Sequence, residues 1–97
     1  MRALVWNCQG VGSPLTVPHL REVYNLSSPN LVFLSETKNR KPVIDRLTRV
    51  LNCNGNVNVE AMNRAGGMAL MWSQDTNILE MYKSAFTIEA KLEDPDT

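Results

Sequence analysis

The sequence predicts a mixed α/β domain with the element order β-α-β-α-β-β-β, on three observations. Two short continuous apolar runs, Ala3-Leu4-Val5-Trp6 and Leu31-Val32-Phe33-Leu34, are each followed by a stretch with helical spacing. Past Gly55 the apolar period changes from about 3.6 residues to about 2. Clusters of Gly, Pro, Ser and Asn punctuate the segments, as turns require.

The first run ends at Gly10-Val11-Gly12-Ser13-Pro14 and reads as a strand buried on both faces of a sheet. Val17, Leu20 and Val23 or Tyr24 then recur at helical spacing, with Leu26 closing the stripe. Pro18 is tolerated only in a first turn, so Thr16 is the expected N-cap. Ser27-Ser28-Pro29-Asn30 ends this helix. The second run is again a buried strand, with Ser35-Glu36-Thr37-Lys38 at its polar end. A second helix is expected from about Pro42, a residue suited to a first helical position. Its stripe is Ile44, Leu47 and Val50 or Leu51, and Asn52-Cys53-Asn54-Gly55-Asn56 stops it.

Alternation follows. Val57, Val59 and Ala61 alternate with Asn58, Glu60 and Met62. Arg64-Ala65-Gly66-Gly67 is a turn, and Met68-Ala69-Leu70-Met71-Trp72 is continuous and apolar. Ile78 to Lys83 is a further strand. Phe86, Ile88, Ala90 and Leu92 alternate with Thr87, Glu89, Lys91 and Glu93, the pattern of a half-exposed strand. The first part is a βαβ unit with a parallel pair, and the second is a meander. Both helices are expected on one face of the sheet. The strand faces on the other side are apolar and need cover that these residues do not obviously supply.

At 97 residues the chain has room for one small domain. Hydrophobic residues at 43% and charged residues at 21% exclude disorder as the default. Ten basic and ten acidic residues cancel, so net charge makes no case for nucleic acid or membrane. The halves differ, however: residues 1–50 hold seven Lys/Arg against three Asp/Glu, and residues 51–97 hold three against seven. No apolar run approaches the roughly 18 residues of a membrane span. The N-terminus turns polar too early for a signal peptide. Cys8 and Cys53 show no metal-ligand spacing. An intracellular compartment, nuclear or cytoplasmic and not secreted, is expected, with a Cys8–Cys53 disulfide the disfavoured alternative.

Ligands of parallel sheets gather outside the carboxyl ends of the strands. Asn7 follows the first run and Glu36 the second, so a carboxylate and an amide converge there. Such hard oxygen donors suit Mg²⁺, which takes only one or two protein carboxylates and keeps several waters. By spacing alone, a solvated Glu or a helix cap stands beside this metal reading. Lys38, Arg40 and Lys41 lie just beyond Glu36, where they would contact a phosphate backbone or simply form a solvated loop. Gly66-Gly67 lacks the Lys and Ser/Thr of a P-loop. It reads as a hairpin turn or a close strand approach. His19, the only histidine, falls in the first helix without a carboxylate or thiol partner nearby in sequence. Trp6 and Trp72 are expected in the core.

Taken in order, Leu4-Val5-Trp6-Asn7-Cys8-Gln9-Gly10-Val11-Gly12, Pro29-Asn30-Leu31-Val32-Phe33-Leu34-Ser35-Glu36-Thr37-Lys38 and Gly66-Gly67-Met68-Ala69-Leu70-Met71-Trp72 resemble the endonuclease/exonuclease/phosphatase superfamily. They are most similar to the endonuclease domain of plant non-LTR (LINE-type) retrotransposons. The resemblance implies half of a four-layer α/β sandwich, a single partial domain over residues 1–97 truncated at its C-terminal side. It also implies Mg²⁺-dependent (or Mn²⁺-dependent) phosphodiester cleavage that nicks DNA for retrotransposition. Asn7 and Glu36 take the family's active-site Asn and metal-binding Glu positions. Gln9 is at most an auxiliary group at the nucleic acid, with Lys38, Arg40 and Lys41 as weaker contacts. The family's later Asp, Asn and His motifs have no counterpart here, so the chain alone is expected to be inactive. Its partners by this reading are DNA and, through the apolar sheet face, either a second copy or the missing half. Another phosphoesterase of the same superfamily, or a non-enzymatic interaction or DNA-binding remnant, is the alternative.

Overall fold

The computed structural model describes residues 2–8, 16–38, 41–60, 66–85 and 87–93. Its order is β1 (Ala3–Asn7), α1 (Thr16–Ser27), β2 (Leu31–Ser35), α2 (Lys41–Val50), β3 (Gly55–Val59), β4 (Met68–Trp72), β5 (Ile78–Lys83) and β6 (Ile88–Leu92). The mixed α/β class is as expected, with one strand more than the expected order counts. The C-terminal part is not one meander. The strands β1-β2-β4-β3 form a mixed sheet, and β5-β6 form a separate antiparallel hairpin. β1 and β2 are parallel, and β4 runs antiparallel to both β2 and β3.

The helix ends follow from local chemistry. Pro18 is the third residue of α1, where no intrahelical N–H is needed. Thr16 is the first helical residue rather than a cap preceding the helix. At the other end Ser28 takes φ 46° and its N–H returns to the Tyr24 carbonyl, a left-handed stop. α2 stops at Asn52, with φ 55°: Asn52 N–H bonds the Arg49 carbonyl and Cys53 N–H the Thr48 carbonyl. That is the paired bonding of a Schellman motif, with Asn in the position usually held by Gly.

Both helices cover one face, as expected. Val32, Leu34, Ala69 and Met71 form a buried cluster with Leu20, Ile44, Leu47 and Leu51, and Trp6 and Tyr24 pack against it. Leu26 does not close the α1 stripe and is 79% exposed. At about 100° per residue it lies far round the helix from Leu20. Just past α2 it is Leu51, not Val50, that continues the stripe inward.

β3 reverses its expected polarity. Asn58 is buried, while Val57 and Val59 are only half-buried. The asparagine side of β3 faces α2, where Asn56 Nδ2 donates to Asp45 Oδ1 and Thr48 Oγ1, each at 2.9 Å. These bonds join helix to strand with amide chemistry in place of apolar contact. Asn56, then Lys41, hold the Asp45 carboxyl below its ordinary value.

β1 is the main correction. It is not buried on both faces: Val5 is 69% exposed, and Ala3 and Asn7 are exposed too. β1 is the end strand of its sheet. The register pairs Leu4 and Trp6 with the core-facing Val32 and Leu34, and Ala3 and Val5 with the open side. Among the described residues of that open face Leu70 is the most buried, and Trp72 lies there rather than in the helix-side core. The Trp72 ring passes so close to Gly55 that an added Cβ would meet its Cζ2 at 2.6 Å, which explains a glycine at the start of β3.

Cys8 and Cys53 are both free and buried, so the disfavoured disulfide is absent. Burial pushes the Cys53 thiol above its ordinary 9.0. A raised folded-state pKa contributes stability that is complete below the unfolded value and is lost as pH rises through the folded one. The Cys53 contribution is therefore expected to be complete to about pH 9, and stability to weaken as it is lost above that. Urea midpoints measured at pH 8 and pH 10 check this, and equal midpoints would refute it.

Candidate active site

Asn7 and Glu36 lie at the same end of the sheet, on neighbouring strand ends. Asn7 is the last residue of β1 and pairs in register with Ser35, so Glu36 is the next residue on the adjacent strand. Parallel strands lie about 4.8 Å apart, which brings both positions within reach of one small ligand. The Cys8 N–H donates to the Ser35 carbonyl at 2.9 Å, carrying the ladder one residue past Asn7. Both residues are exposed.

The backbone around Glu36 is unusual. Glu36 has φ 50° and Lys38 φ 55°. Non-glycine residues adopt this left-handed region at a cost of roughly 1–2 kcal/mol each. Two hydrogen bonds hold the segment: Thr37 N–H to the Gly67 carbonyl at 3.3 Å and Lys38 N–H to the Gly66 carbonyl at 3.0 Å. Gly66 and Gly67 themselves have φ 83° and 84°. The glycine pair is thus the close approach that its sequence allowed. The Thr37 side chain is fully buried between exposed neighbours and anchors the segment to the body of the domain.

The basic residues divide. Lys38 is exposed beside Glu36. The Lys41 ammonium reaches Asp45 Oδ1 at 2.9 Å on the first turns of α2, a surface pair of small worth. Gln9 and Arg40 lie outside the described residues. His19 is exposed on α1 and belongs to the helix layer, not to the strand ends. Among the described residues no group of three His, Cys, Asp or Glu side chains surrounds a common point. The donor set is one carboxylate and one amide, the oxygen chemistry that Mg²⁺ accepts when waters and a phosphate complete its shell. Sequence reasoning did not find the role of the Gly66 and Gly67 carbonyls, because main-chain acceptors carry no side-chain signature.

The mixed sheet with two helices on one face defines an α/β domain, and solved structures share that fold. The catalytic domain of APE2 from Xenopus laevis superposes with a TM-score of 0.61 at 17% identity, over 87% of this chain and 27% of that one. The AP endonuclease LMAP from Leishmania major gives 0.55 at 16% identity, over 76% and 24%. Truncated TDP2 from Caenorhabditis elegans gives 0.57 at 15% identity, over 93% and 39%. At these identities the likeness establishes the fold. The chain spans between about a quarter and two-fifths of the length of these structures. No family model and no curated protein matches the sequence. No helix among the described residues is long and apolar enough to cross a membrane.

Proposed function

We propose that the chain is the metal-binding portion of a Mg²⁺-dependent, phosphodiester-cleaving endonuclease-type domain acting on DNA, and that it is inactive alone. One observation carries this reading: Asn7 and Glu36 stand on adjacent parallel strand ends, in a fold shared with an AP endonuclease. Glu36 would hold the cation through its carboxylate, and Asn7 would orient a cation-bound water or a phosphate oxygen. The metal, when bound, supplies Lewis acidity at the phosphoryl oxygen. Lys38 would lie against the phosphate backbone without reading sequence. The order of the three motifs, which resembles plant LINE-type endonucleases, supports a retroelement origin, with Mn²⁺ as the alternative cation and the nucleus or cytoplasm as compartment.

Fluorescence anisotropy with a labelled DNA duplex tests this. Binding is expected to strengthen with millimolar Mg²⁺ and to lose that dependence in Glu36→Ala. Salt-sensitive binding that survives both EDTA and Glu36→Ala would overturn it, and would favour an interaction module.

The open sheet face favours a second role beside the first. The bonds Leu31 N–H to Arg2 carbonyl and Cys8 N–H to Ser35 carbonyl place alternate β1 residues in the ladder. The main-chain groups of Ala3 and Val5 therefore point away from β2. β1 carries no charge and no proline, the usual protections of an edge. We expect concentration-dependent self-association that Val5→Lys reduces. Sedimentation velocity measures it, and equal association by both chains would exclude this edge.

A further inference from the structure

We propose that Gly66 and Gly67 are positioning residues for Glu36: their carbonyls fix the carboxylate's backbone in the left-handed conformation that presents it to a cation. The inference rests on the metal reading above. Left-handed φ at a glutamate persists only when the surroundings over-determine it, and such outliers gather at functional sites. Here the surroundings are specific. The residue after Glu36 donates to the Gly67 carbonyl at 3.3 Å, and the next donates to the Gly66 carbonyl at 3.0 Å. Both carbonyls point at those donors because both glycines adopt φ near 84°, at 83° and 84°. A side chain with ordinary φ at either position would swing its carbonyl away and release the Glu36 segment. The approach to β4 thus reaches across to the end of β2 and sets the angle of its last functional residue. Metal sites are commonly tuned in this way by groups that support a ligand without touching the ion.

Gly66 allows a clean test. An added Cβ meets nothing within 4 Å, so a substitution acts through φ alone. Gly66→Ala disfavours the left-handed conformation, whereas Gly66→Asn tolerates it. Three readings are taken on the isotope-labelled full chain: amide exchange at Lys38, Mg²⁺ affinity from the Glu36 amide shift, and the melting temperature. Gly66→Ala is expected to lose Lys38 protection and to weaken Mg²⁺ about tenfold, with melting little changed. Gly66→Asn is expected to behave like the parent chain. Unchanged Lys38 exchange and Mg²⁺ affinity in Gly66→Ala would overturn the proposal, as would equal losses in Ala and Asn. If the parent chain shows no Mg²⁺ response, the metal reading fails. Lys38 exchange in the two variants then still decides whether the glycines hold the Glu36 segment.

Discussion

Incubated with supercoiled DNA and millimolar Mg²⁺, the purified chain is expected to leave the DNA uncut. The proposed site offers one carboxylate and one amide, and among the described residues no group of three His, Cys, Asp or Glu side chains gathers to complete it. General acid–base assistance alone is worth about 10²–10⁴-fold in rate. His19 does not supply it, since it is exposed on the helix layer. An agarose assay of nicked against supercoiled plasmid reads the outcome. Mg²⁺-dependent nicking by the parent chain that disappears in Glu36→Ala would refute the expected inactivity, while supporting the metal site itself.

Leu34→Ala is expected to unfold most of the chain near physiological temperature. Leu34 is fully buried in β2, one residue from the end of that strand and between β1 and β4, in the cluster that joins the sheet to both helices. Truncating such a leucine costs about 2–5 kcal/mol. Small domains hold about 5–15 kcal/mol in all, and one with an open sheet face sits near the lower bound. The melting temperature should fall by about 10 °C or more. Val5→Ala, on the open face, should shift stability by only about 0.5 kcal/mol. Thermal melts followed by circular dichroism compare the two. A Leu34→Ala shift as small as that of Val5→Ala would mean that the core lies elsewhere.

The sequence made some of this legible and not the rest, for physical reasons. The helices were readable because their signals are local: Pro18 in a first turn, Ile44 and Leu47 on one stripe, Asn52 at a stop. The placement of Asn7 and Glu36 on neighbouring strand ends was readable because a βαβ unit places successive strand ends side by side. The exposure of β1 was not. Leu-Val-Trp looks the same in a central strand and at an edge, and the order β1-β2-β4-β3 depends on long-range pairing. Hydropathy also misplaced Asn58, since burying an asparagine face against α2 depends on partners distant in sequence. The left-handed Glu36 was the least accessible feature. No glycine or asparagine marks it, and the carbonyls that sustain it belong to residues some 30 positions away.

Asn7 and Glu36 are proposed to form a cation site in this chain as it stands. The most direct measurement is an amide NMR titration with Mg²⁺, repeated with Glu36→Ala. Saturable shifts centred on Asn7, Glu36 and their neighbours, absent in the variant, are the predicted result. A dispersed spectrum that ignores Mg²⁺, or shifts that persist unchanged in Glu36→Ala, would contradict it.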